Sequence, residues 1–102
     1  MTYLDDLATE IERHVPQEFI PQEDTGALFR LYALLVLAKG AAVDASDIHN
    51  AWAAWMQERN PDHHALKPFD ELDAETRAAD EPFVRALRTV AAERASNSPE
   101  RW

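Results

Sequence analysis

Residues Thr25 to Gly40 read TGALFRLYALLVLAKG, and this stretch decides the fold class. Arg30 is its only charge before Lys39, and the other side chains are apolar nearly all round the helical wheel. A helix of that kind is the buried centre of a bundle, and at this length it is too short to cross a membrane. Gly40 stands just after Lys39, where a left-handed C-cap is wanted. The segments around it should then be helices with one apolar stripe each.

They carry such stripes. Upstream, Leu4, Leu7, Ile11 and Val15 recur at helical spacing, with Asp5, Asp6, Glu10 and Glu12 facing away. This predicts a helix over Thr2 to His14, with Thr2 as N-cap and Asp5 three residues on. Pro16 and Pro21 bound an irregular connection in which Phe19 and Ile20 plug the core edge. Downstream, DASD at 44–47 opens a third helix, with Asp44 as N-cap and Asp47 in the reciprocal position. Ile48, Trp52, Trp55 and Met56 form its stripe, and Pro61 ends it by Asn60. A short helical turn follows from Asp73 to Ala79, with Asp73 as cap. A last helix starts near Pro82 with Asp80 capping, and buries Phe83, Ala86, Leu87, Val90 and Ala91. The expected architecture is all-α: a compact orthogonal bundle of four main helices plus a short helical turn, with a central buried helix over 25–39. Residues 1–95 form a single helical domain, and 96–102, including Trp102, a flexible C-terminal tail. Leu7, Ile11, Phe29, Tyr32, Leu35, Val36, Ile48, Trp52, Leu72, Phe83, Leu87 and Val90 are the expected core.

Length and composition bound the function. A chain of 102 residues supports one core. The absence of cysteine excludes disulfides, a thiol nucleophile and thiolate metal sites, and fits a reducing compartment. The acidic start MTYLDDLATE lacks the basic region of a signal peptide, so a cytoplasmic location is expected. A formal net charge of −9 opposes nucleic-acid binding, which depends on cations neutralising phosphate. It favours solubility and basic partners.

Chemistry-bearing residues concentrate between Ile48 and Leu72, IHNAWAAWMQERNPDHHALKPFDEL. This segment holds two of three tryptophans and three of four histidines. His49, His63 and His64 with Asp62 and Asp70 are zinc-type ligands, but no two of them lie four apart on a helix face as metal motifs require. In an extended loop His63 and His64 point to opposite sides. The spacing fits His49 and His63 as hydrogen-bonded loop anchors and His64 as solvated. Asp70 and Glu71 form the only carboxylate pair in a structured turn, and they read as a cap or Asx-turn. Neither a nucleophile elbow nor a Gly-rich phosphate loop is present. Trp52 and Trp55, three residues apart, diverge by about 60° on a helix. One of them is therefore core and the other half-exposed beside the His-Pro-Phe loop, and tryptophans dominate binding hot spots.

The pattern His49-Asn50-Ala51-Trp52, then His63-His64-Ala65-Leu66-Lys67-Pro68-Phe69, then Glu71-Leu72 and Arg77-Ala78-Ala79-Asp80, continuing to Phe83 and Val84, resembles the RyR domain. That is the repeat named for ryanodine receptors, also found in small bacterial and phage proteins. His64 stands where that family usually has proline, Lys67 where it has an aliphatic residue, and only QERNPD remains of the insert before the loop. Over its full length the chain resembles small uncharacterised proteins of actinobacteria and their phages, a domain-of-unknown-function family. The RyR resemblance implies a nucleotide-like ligand and a place in conflict systems.

The expectation is a non-enzymatic interaction module, without cofactor or metal, contacting a protein partner or a second copy of itself and linked to phage or defence biology. Trp52, Trp55, His49, His63, Lys67, Pro68, Phe69 and Arg77 are the candidate partner- or ligand-binding residues. The alternative is a nucleotide-like ligand sensor, with Trp52 or Phe69 stacking a base and His49, His63, Arg77 or Lys67 meeting phosphate. A remote third is a metal-dependent enzyme using the His/Asp cluster. Neither nucleic acid nor membrane is an expected partner.

Overall fold

A computed structural model of the protein describes residues 2–22 and 24–97. Five α-helices follow one another: α1 (Tyr3–His14), α2 (Gly26–Lys39), α3 (Ala45–Met56), the short α4 (Ala74–Ala78) and α5 (Glu81–Asn97). Three short 3₁₀ turns sit between them, and no strand occurs among the described residues. The all-α bundle of four main helices and one helical turn is thus observed. Of the expected C-terminal tail, Ser96 and Asn97 continue α5, and residues 98–102 with Trp102 lie outside the described residues.

The helix starts are as local chemistry dictates. Thr2 and Asp5 form a reciprocal capping box on α1, and Asp44 and Asp47 form a second on α3. Each satisfies two backbone N–H groups that the first turn would leave unpaired. The Asp73 carboxylate accepts from Thr76 N–H at 2.7 Å and starts α4. Gly40 takes a φ of 57° at the end of α2, a region that side-chain-bearing residues avoid.

Helix α2 packs on α1, α3 and α5 and is the hub of the bundle. Leu28, Phe29, Tyr32, Ala33 and Val36 bury against Leu7, Ile11, Ile48, Phe83, Leu87 and Val90. The Arg88 guanidinium donates to the Val43 carbonyl at 2.8 Å, tying α5 to the α2–α3 connection. Ten of the twelve expected core residues are buried; Leu35 and Trp52 are only half-buried. Trp55 takes the place expected of Trp52 and is 4% exposed.

Two expectations fail, each for a geometric reason. Three helices cover three sides of α2, and its fourth side faces solvent. Leu34 and Leu37 are therefore 49% and 43% exposed, and α2 is not buried all round. Phe19 likewise stays outside the core, because the 3₁₀ turn at Gln17–Phe19 turns its ring outward while Ile20 packs in.

Candidate ligand-binding cleft

The capping box at Asp44 fixes the rotation of α3, and that rotation places its aromatics. Ile48, Trp55 and Met56 point into the bundle. His49 and Trp52, one step round the helix, face the irregular segment from Gln57 to Asp73. His49 is 3% exposed, and its Nε2 lies 2.7 Å from the Lys67 carbonyl oxygen. A carbonyl only accepts, so this ring carries a proton on Nε2. His63 is held the other way round: its Nδ1 accepts the Ala65 N–H at 3.1 Å. Both imidazoles are the loop anchors expected, and His64 is exposed.

The extended geometry expected for His63 and His64 is not found. Hydrogen bonds from His63 N–H to the Asn60 carbonyl and from Leu66 N–H to the His63 carbonyl curl the loop. The two rings therefore stack on the same side, 4.6 Å apart and within 18° of parallel. From His63 a row of π-systems runs inward. Trp52 meets His63 edge-on at 5.0 Å and stacks on His49 at 5.6 Å. His49 meets Phe69 at 6.2 Å, and the Arg77 guanidinium lies 5.1 Å over the Phe69 ring. Arg77 also donates to the Asp70 carbonyl at 2.7 Å.

Of the eight candidate residues, the fold thus brings His49, Trp52, His63, Phe69 and Arg77 into one row. Lys67 and Pro68 lie exposed in the loop that ends it, Lys67 serving through its backbone carbonyl. Trp55 is separated from them. It is buried in the core, with the Arg59 guanidinium over its ring at 4.5 Å.

Below the row opens a cleft of about 400 Å³. Trp52, His49, His63 and His64 form one side, Phe19, Pro21 and Glu18 another, and Tyr32, Thr76, Asp80 and Phe83 line it together with Leu28, Ala65 and Ala79. No lysine or arginine is among these lining residues, so the phosphate contacts expected of Lys67 and Arg77 are not made within it.

Asp80, Tyr32 and Phe83 were not among the candidates. Asp80 sits at the α4–α5 junction, where its carbonyl accepts from the Phe83 and Val84 N–H groups at 3.1 and 3.0 Å. The backbone is thus that of an N-cap, as expected. Its carboxylate Oδ2, however, is buried without a hydrogen-bond partner among the described residues. Burial pushes this carboxyl up to about 6, nearby His49 opposes the rise and the Glu81 charge adds to it. Burial, and then the Asp80 charge, hold the Tyr32 hydroxyl well above its ordinary range, so it stays protonated. The sequence signals for this acid were its cap position before Pro82 and its place in the Arg77-Ala78-Ala79-Asp80 pattern, and neither told that it lines a cleft.

Fold and cleft together define a class: an all-α domain with a half-enclosed cleft, aromatic on one wall and carrying two carboxylates, Glu18 and Asp80. The chain belongs to the family described as Domain of unknown function (DUF7701), which matches residues 2–92. Neither a curated protein nor a solved structure matches it. No helix among the described residues is long and apolar enough to cross a membrane. No group of three or more His, Asp or Glu positioned to hold a metal ion occurs among them.

Proposed function

We propose that this domain is a non-enzymatic binding module whose cleft accepts a small flat ligand stacked on Trp52. The observation that carries the reading is the half-buried indole of Trp52, braced by His49 and His63 and opening on a cleft of about 400 Å³. Small-molecule sites run from about 300 to 1,000 Å³ and are mostly apolar with a few placed polar groups. Stacking on an aromatic side chain contributes roughly 1–3 kcal/mol per base. The RyR-like pattern over the same residues supports a nucleobase-like ligand and a role in phage or defence biology. His49 and His63 are each engaged by loop backbone, which suits a wall better than a proton shuttle. A thermal-shift panel of nucleosides, nucleotides and cyclic dinucleotides tests the proposal. At least one member is expected to stabilise the protein, with the effect lost in Trp52→Ala. Stabilisation by none, or by the same amount in Trp52→Ala, defeats it.

The open side of α2 favours a second reading, a protein partner or second copy docking there. Leu34 and Leu37 are exposed on it, and Ala27, Leu31 and Ala54 line a neighbouring hollow beside Trp55. Exposed apolar faces of this kind mark association sites. Light scattering is expected to show a dimer that the double variant Leu34→Glu, Leu37→Glu converts to monomer. A parent chain that is monomeric at every concentration removes the self-association form.

A further inference from the structure

The carboxyl of Asp80, a residue of the cleft lining with one orphaned oxygen, narrows the ligand's chemistry. We infer that the cleft selects a flat aromatic ring bearing an amidinium-type edge, the ring stacking on Trp52 and the N–H groups donating to Asp80. The inference rests on the cleft being a ligand site, and it adds which class of ligand enters.

A buried carboxylate oxygen with no partner is costly to leave unmade, because it has given up water for nothing. Asp80 Oδ2 is in that position among the described residues, and Asp80 is one of the residues that line the cleft. A ligand donor would satisfy it, and a charged donor most strongly. The surrounding charges agree. Glu18 is the other carboxylate of the lining, Glu81 adjoins Asp80 in sequence, and the lining has no ammonium or guanidinium to compete for Asp80. The remaining titratable groups facing this region are Tyr32, His49, His63 and His64. The His49 ring already spends its Nε2 proton on the Lys67 carbonyl, and the His63 Nδ1 is occupied by the Ala65 N–H. A carboxylate ligand would instead face Asp80 and Glu18 and meet repulsion from both. An amidinium also matches the site in shape, since its planar N–H fork continues the plane of the ring that Trp52 would stack.

Benzamidine, benzamide and benzoate share one ring and differ in charge and donors, so calorimetric titration of the three separates the two claims. Benzamidine is expected to bind about tenfold or more tightly than benzamide, the advantage a charged hydrogen bond supplies. Benzoate is expected not to bind. The preference disappears in Asp80→Asn, and both benzamidine and benzamide lose binding in Trp52→Ala. As Asp80 ionises, benzamidine binding is expected to strengthen between pH 4.5 and 8, and that part of the rise is expected to be lost in Asp80→Asn. Equal binding of benzamidine and benzamide, with Asp80→Asn unchanged and Trp52→Ala impaired, overturns the amidinium inference and leaves the cleft a site for flat ligands. Binding indifferent to Trp52→Ala, or no binding of any of the three at millimolar concentration, overturns both.

Discussion

A Trp55→Ala protein is expected to unfold with about 3–5 kcal/mol less free energy than the parent, the range found when a buried tryptophan is truncated. Urea denaturation followed by far-UV circular dichroism measures it. Trp55 is 4% exposed and lies in the core, so its removal leaves a cavity and frees the Arg59 guanidinium that covers it. Trp52→Ala is expected to cost about 1–2 kcal/mol, because a half-buried ring has less apolar area to return to water. The Trp55 indole N–H is buried without a partner among the described residues, and that sharpens the contrast. Trp55→Phe removes the unmet donor together with some volume, and the two effects partly offset. Its loss is therefore expected to be well under that of Trp55→Ala. Equal losses in Trp52→Ala and Trp55→Ala would contradict the assignment of the two rings.

Asp80→Asn is expected to stabilise the fold, an unusual sign for removing a charge from a domain. Its carboxyl is raised by burial from 3.8 to about 6 in the folded protein. A raised acid favours its protonated form on folding, so it adds nothing unfavourable below the unfolded value near 4. The penalty of holding the anion grows as pH climbs through about 6, and is complete above that. The whole shift converts to about 3 kcal/mol. Partial access of water to this carboxyl reduces that to about 1–2 kcal/mol. The variant is expected to melt several degrees higher than the parent at pH 8 and at the same temperature at pH 4. His49, on the same cleft, works against the rise, and Glu81 works with it. A variant that melts lower at pH 8 would show that Asp80 supports the fold through contacts its carboxylate oxygen does not display.

Most of the fold was legible because its signals are local. Two capping boxes, the Asp73 cap, Gly40 and the Pro61 stop each depend on residues within a few positions of one another. The stripe of α5 was legible for the same reason, and Phe83, Ala86, Leu87, Val90 and Ala91 are all buried. What escaped the sequence depends on how many neighbours a helix finds. Periodicity identified α2 as apolar on every side, yet only packing decides that three helices cover it and a fourth does not. Residues three apart on α3 could be told to diverge, but not which of them meets the core. The stacked His63–His64 pair needed the curl of the loop, which hangs on backbone bonds to Asn60 and from Leu66. Asp80 was hidden behind a correct reading of its backbone: the cap position was evident, and the direction of the side chain was not.

The single bond from the His49 ring to the Lys67 carbonyl gives the cleft an unequal architecture. Helices supply Tyr32, Phe83, His49 and Trp52 to its lining. Another wall is the run of turns from Gln57 to Asp73, fastened by that bond, by the rings stacked beside it and by the buried Ala65 and Leu72. One imidazole thus rivets the irregular loop to the face of α3.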